Sequence, residues 1–99
     1  MIRVGINGLG RIGRAIYRSN FKKQMFQIVA INDVNPDIAN IAYTLNFDTL
    51  YGRLDKSLQV NGASLVEADG GLIEVSHIQH IDEVPWDLYG VDYVIDASG

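Results

Sequence analysis

The chain has 99 residues, 47% of them hydrophobic and 20% charged, with a formal net charge of -4. That balance is ordinary for one folded globular domain and excludes a disordered or low-complexity chain. There is no cysteine, which excludes a disulfide framework, a thiolate nucleophile and a thiolate metal site within the chain.

Residues 2–7 are short, β-branched and mostly apolar, and read as a buried strand that Gly5 interrupts. A glycine-rich turn follows at 8–13. The spacing then predicts a helix over about 10–22, with Ile12, Ala15 and Ile16 as its apolar stripe. Arg11, Arg14, Arg18 and Lys22 fall three or four apart and form the opposite, polar face. Residues 26–31 predict a second strand ending in Asn32 and Asp33, which completes a βαβ unit with parallel strands. A short helix is expected over 36–45, capped by Asn35, with Ile38, Ile41, Ala42 and Leu45 on its apolar side. Between 48 and 76 short apolar pieces are separated by Asn61-Gly62 and Asp69-Gly70-Gly71, so two or three antiparallel strands joined by tight turns are expected. Residues 81–86 read as a connection, and 91–96 as the last strand before Ser98-Gly99. The order predicts an α/β fold: a Rossmann-like dinucleotide-binding domain over 1–99, with a parallel sheet and a small antiparallel hairpin insertion. A parallel strand with apolar residues on both faces needs a covering helix, and none follows 91–96. The domain is therefore expected to be truncated at its C-terminal end, with bare apolar surface that favours self-association.

Gly8-Leu9-Gly10-Arg11-Ile12-Gly13 fits G-x-G-x-x-G between a strand and a helix, the context that gives this pattern meaning. Gly8 allows the tight turn, Gly10 lets a pyrophosphate approach the backbone, and Gly13 lets the helix pack close. Free N–H groups at the helix start then face the phosphates. Asp33 stands at the end of the second strand, where a carboxylate accepts hydrogen bonds from ribose hydroxyls and repels a 2′-phosphate, so NAD is expected over NADP. Asn35 and Asp37 compete for that role, but Asp33 is placed best. The Arg11 side chain lies beside the pyrophosphate or points to solvent. Ser98-Gly99 ends the last strand at the same sheet edge, either touching the nicotinamide side of the cofactor or fraying. All acidic residues lie at Asp33 or later, after six basic ones, a distribution compatible with an anionic ligand or a solvated helix face. Nucleic-acid binding is disfavoured by the acidic remainder. His77 and His80 lack a third ligand and read as surface or packing residues. No serine is placed as an activated nucleophile. No leader-like or membrane-length apolar run is present, so a cytoplasmic location is expected.

Val4-Gly5-Ile6-Asn7-Gly8-Leu9-Gly10-Arg11-Ile12-Gly13-Arg14 resembles the amino-terminal signature of the phosphorylating glyceraldehyde-3-phosphate dehydrogenases. Ala30-Ile31-Asn32-Asp33, Phe47-Asp48-Thr49 with Gly52-Arg53, Trp86 with Gly90-Val91-Asp92, and Asp96-Ala97-Ser98-Gly99 continue the similarity over essentially the whole chain. The resemblance implies oxidation of glyceraldehyde 3-phosphate with NAD and phosphate, through a cysteine thiohemiacetal and a thioester, usually in a homotetramer. It implies that Arg11 and Ile12 hold the cofactor pyrophosphate through their backbone, that Asp33 binds the adenosine ribose, and that Ser98-Gly99 lies along the cofactor; Asn7, Gly8, Gly10 and Gly13 complete the expected cofactor-binding set. The family's catalytic cysteine and histidine match no residue here, so the chain alone is expected to be inactive. Two departures stand out. Ile78-Gln79-His80-Ile81 replaces a stretch resembling Glu-Arg-Asp-Pro, so the residue implied near the adenine is Gln79, which hydrogen-bonds without the charge or stacking of arginine. Ser98 replaces a threonine and keeps the hydroxyl. Erythrose-4-phosphate dehydrogenase resembles the same region but tends to carry glutamate where Asp33 stands. A non-enzymatic nucleotide-binding module is the other alternative.

Overall fold

The computed structural model describes residues 1–48, 52–53 and 57–98. The chain opens with β1 (Arg3–Asn7), crosses through α1 (Arg11–Lys23) to β2 (Gln27–Asn32), and continues into α2 (Ile38–Asn46). Short strands follow: β3 (Phe47–Asp48), β4 (Gly52–Arg53), β5 (Gln59–Asn61), β6 (Ser64–Val66) and β7 (Leu72–Ser76). A single 3-10 turn (Ile81–Glu83) precedes β8 (Tyr93–Asp96). Among the described residues one sheet runs β5-β6-β7-β2-β1-β8, while β3 and β4 pair separately. β8, β1, β2 and β7 are parallel, and β5 and β6 extend the sheet antiparallel from β7. This is the expected α/β, Rossmann-like arrangement with its antiparallel insertion at one edge.

The central strand shows why. Ile28, Val29, Ala30 and Ile31 of β2 are all buried, as a continuous apolar run must be when both sheet faces are covered. On one face Ile6, Ile31 and Val75 share a register row and pack with Tyr17, Ile41, Ala42 and Leu45 of the two helices. Each such buried Ile or Leu contributes roughly 1.5–3 kcal/mol. On the other face the Trp86 ring lies against Gly5, anchored by its Nε1–H donating to the Ile81 carbonyl at 3.1 Å.

Three local expectations are corrected. The face of α1 turned to the sheet is centred on Gly13 and Tyr17; of the expected stripe Ile16 is half-buried and packs against the core, while Ile12 and Ala15 are exposed. Ile12 is 63% exposed. A groove of about 520 Å³ is lined instead by Ile12, Ala15, Ile16, Met25, Phe26 and Ile95. The cause is close packing: a Cβ on Gly13 would lie 2.1 Å from the Gly8 carbonyl oxygen, so this side of the helix sits tight against the turn and carries Tyr17 inward four residues later. Arg18 is not part of a solvated polar face, because its guanidinium donates to the Leu45 and Gly52 carbonyls at 2.9 and 2.8 Å. It thereby satisfies a carbonyl at the end of α2. The cap of α2 is Asp37, whose carboxylate accepts from the Asn40 N–H at 3.1 Å. Asn35 stands two residues earlier and accepts from the Asp37 N–H.

At the amino edge of the parallel strands Tyr17 donates its hydroxyl to Glu67 at 2.9 Å. Burial first, then the neighbouring carboxylates, pushes the Tyr17 phenol far up. Burial likewise raises Glu67 above the usual carboxylate range, against the lowering effect of the Tyr17 hydrogen bond.

Candidate nucleotide-binding site

The carboxyl ends of the parallel strands converge on one edge, where Asn7, Asn32, Ser76 and Asp96 are the last residues of β1, β2, β7 and β8. Their side chains form one hydrogen-bonded row across the sheet. Asn7 Nδ2 donates to Asp96 Oδ1 at 3.1 Å, and Asn32 Nδ2 donates to Asn7 Oδ1 at 2.8 Å. Asn32 Oδ1 accepts from the Ser76 hydroxyl and from the Ile78 N–H, while its Nδ2 also donates to the Ile78 carbonyl. Asn7, Asn32 and Ser76 are buried, and no buried side-chain polar atom lacks a partner among the described residues. A row this well satisfied fixes the floor of the edge instead of destabilising it.

The glycine turn sits on that floor. Gly8 has φ +96° and donates its N–H to the Asn32 carbonyl at 2.7 Å. Gly10 is different from its neighbours. Its φ of -73° is open to any residue, and a Cβ there would meet nothing within 4 Å. Nothing within the described chain requires glycine at this position, so the open space in front of it is the place where a ligand can reach the backbone. Gly10 precedes an α1 amino terminus that has no side-chain cap and no acidic residue in its first turn. Those N–H groups and the helix dipole favour an anion. Arg11 and Ile12 are exposed there.

Asp33 joins the turn to the strand. Its Oδ1 accepts from the Leu9 N–H at 2.8 Å and its Oδ2 from the Asn35 N–H at 3.0 Å. An ionised carboxylate has about four acceptor sites, so both oxygens retain capacity for a diol. Of its two competitors, Asp37 is committed to the helix cap and Asn35 to Asp37 and Asn40. His77 lies beside Asp33, with Nδ1 3.1 Å from the Asp33 carbonyl. Gln79 is exposed on the segment after β7, next to Ile78. Ser98 is brought onto the turn: a Cβ on Gly8 would lie 2.6 Å from its Cα. Its hydroxyl donates to Asp96 Oδ1 at 2.6 Å, and its N–H to the same oxygen at 3.2 Å. The Ser98 hydroxyl first, then the Asn7 amide and the Ser98 N–H, hold the Asp96 carboxyl below the usual range. Gly99 and Thr49 lie outside the described residues. The sequence reading thus gathered Asn7, Gly8, Gly10, Arg11, Ile12, Gly13, Asp33 and Ser98 along one edge and missed Asn32, Ser76 and Asp96. Their one signal was a polar residue ending each apolar strand.

An uncapped helix end, an unobstructed glycine and a carboxylate at the next strand end fit a dinucleotide. The family model described as "Glyceraldehyde 3-phosphate dehydrogenase, NAD binding domain" matches residues 2–99. The chain belongs to this family. NAD is accordingly its cofactor. Glyceraldehyde-3-phosphate dehydrogenase 1 of Schizosaccharomyces pombe is 39% identical over 97 residues, covering 98% of this chain and 29% of the relative. The Geobacillus stearothermophilus enzyme is 39% identical over 98 residues, 99% of this chain and 29% of the relative. A cytosolic glyceraldehyde-3-phosphate dehydrogenase of Chondrus crispus is 38% identical over 97 residues, with 98% and 29% covered. The chain therefore spans under a third of the length of these curated relatives. Among the described residues no helix is long and apolar enough to cross a membrane, and no group of three or more His, Asp or Glu is arranged to hold a metal.

Proposed function

We propose that this chain forms the cofactor seat of a phosphorylating glyceraldehyde-3-phosphate dehydrogenase, a homotetramer of the cytoplasm that converts glyceraldehyde 3-phosphate, phosphate and NAD to 1,3-bisphosphoglycerate and NADH. Gly10 carries the reading, since no packing contact or backbone angle in the described protein calls for its missing side chain, whereas a ligand approaching the backbone does. In this account the N–H groups of Arg11 and Ile12 bind the pyrophosphate, while Gly8 and Gly13 shape the turn that aims them. Asn7 supports the turn from below. Asp33 accepts the adenosine ribose hydroxyls, and its charge turns away a 2′-phosphate. Gln79 reaches the adenine, and Ser98 with Gly99 flanks the nicotinamide half. The cofactor supplies the hydride acceptor. The chain supplies no cysteine for the covalent step, so by itself it does not turn over. Glyceraldehyde 3-phosphate is favoured over erythrose 4-phosphate as substrate by Asp33 and by the names of the relatives above.

The test has two arms. The isolated chain, given NAD, phosphate and glyceraldehyde 3-phosphate, is expected to form no NADH. Grafted in place of the matching residues of the Geobacillus stearothermophilus enzyme, it is expected to support NADH formation from glyceraldehyde 3-phosphate. NADH made by the chain alone, or a folded chimera that binds no NAD, would contradict the proposal.

A further inference from the structure

Ser98 follows the edge strand β8 and is exposed, so neither burial nor a second neighbouring strand holds it. The last ladder contact there is the Ala97 N–H donating to the Asn7 carbonyl at 2.7 Å. Beyond that point one atom, Asp96 Oδ1, gathers the Ser98 hydroxyl, the Ser98 N–H and the Asn7 amide. Asn7 is buried and is itself held by Asn32, so the aspartate is oriented from the sheet interior and not by the loop it restrains.

We propose that Asp96 is a positioning residue for the nicotinamide half of the site: it clamps Ser98 against Gly8, and through Asn7 and Asn32 it ties that clamp to the Ile78–Gln79 segment on the adenosine side. It touches no cofactor. The inference rests on reading this edge as the NAD seat. Its geometric basis is the 2.6 Å approach of the Ser98 backbone to the place where a Gly8 Cβ would stand, a contact that leaves the Ser98 segment little room except the one the carboxylate selects. Donors from three directions favour the ionised carboxylate, in keeping with its lowered titration. If the aspartate only closed a turn at the strand end, its loss would weaken every ligand of the fold equally or none.

The chain, Asp96→Ala and Asp96→Asn are titrated calorimetrically with NAD and with AMP, which carries only the adenosine half. Asp96→Ala is expected to weaken NAD about five- to tenfold and to change AMP less than about twofold, the loss expected when a charge-assisted clamp is removed. Asp96→Asn keeps an acceptor oxygen without the charge and is expected to recover part of the loss, leaving NAD about two- to fourfold weaker than for the unaltered chain. Equal losses for NAD and AMP, or no loss for either, would overturn the clamp. Failure of the unaltered chain to bind AMP and NAD refutes the NAD-seat reading instead. The clamp is then judged by backbone relaxation, where Asp96→Ala is expected to lower the order of Ser98 but not of Ile6. An unchanged Ser98 would refute it.

Discussion

Gly10 and Gly13 lie three residues apart in one motif, and replacing each by alanine should have opposite consequences. At Gly13 the added Cβ falls 2.1 Å from the Gly8 oxygen and 3.1 Å from the Gly8 carbonyl carbon, both backbone atoms that cannot swing aside. Helix and turn must part by about an ångström, at the roughly 1–3 kcal/mol typical of overpacking. The better helix propensity of alanine returns about 1 kcal/mol. A net loss of up to about 2 kcal/mol remains, which for a domain of this size lowers Tm by roughly 8–16 °C at that upper limit. At Gly10 the Cβ meets nothing and φ is ordinary. Alanine is a slightly poorer amino-terminal cap than glycine, but it reduces the freedom of the unfolded chain by about 0.4–1 kcal/mol, so stability should change by less than about 0.5 kcal/mol. Its methyl would still stand where the pyrophosphate must come, and NAD affinity should fall about tenfold or more. Thermal unfolding and calorimetric titration of both variants check this. A Gly10→Ala chain that binds NAD normally, or that loses as much stability as Gly13→Ala, refutes the assignment of the two glycines.

Three further outcomes are expected. The raised titrations of Tyr17 and Glu67 have the same sign: the folded chain keeps each proton after the unfolded chain has released it. The contribution of these two groups is therefore fullest below the ordinary carboxylate range, falls as Glu67 ionises above it, and falls again above about pH 10 as unfolded tyrosine ionises, whereas that of Asp96 runs the other way and is lost in acid. Tyr17→Phe should cost about 1 kcal/mol at neutral pH and flatten the alkaline decline, read by urea unfolding at several pH values; an equally steep decline contradicts the burial argument. Arg18→Met retains the stem but removes both carbonyl contacts, and should lower stability by about 1–2 kcal/mol; no change in the urea midpoint would return Arg18 to a solvated face. The groove beside Ile12 and the open edge of β8, with Tyr93 66% exposed, should drive self-association that Ile12→Lys reduces. Sedimentation showing a strict monomer for the unaltered chain would contradict that reading.

Much of the fold was legible because its signals are local. The apolar run of β2, the glycine turn and the Asn61-Gly62 and Asp69-Gly70-Gly71 turns each specify their element within a few residues. The orientation of α1 was only partly legible: Ile16 packs against the core as periodicity implies, but periodicity weighs apolar side chains, and the closest contact of this helix is made by a glycine with none. Asn35 and Asp37 are equally good caps on paper, and the chain uses Asp33, Asn35 and Asp37 in succession, each carboxylate or amide accepting from the N–H two or three residues on. The row Asp96–Asn7–Asn32–Ser76 spans residues far apart in sequence. Each looks like an ordinary polar strand end until parallel pairing places the four side by side.

The central claim is that the carboxyl edge is built for NAD, with Asp33 as the residue that reads the ribose. Calorimetric titration of the chain with NAD and NADP tests it most directly. The account predicts saturable NAD binding with a Kd on the order of 0.1–1 mM and NADP at least about tenfold weaker, the gap narrowing in Asp33→Asn, where the repelling charge is gone. NADP binding as tightly as NAD, or no saturable binding of either, would contradict it.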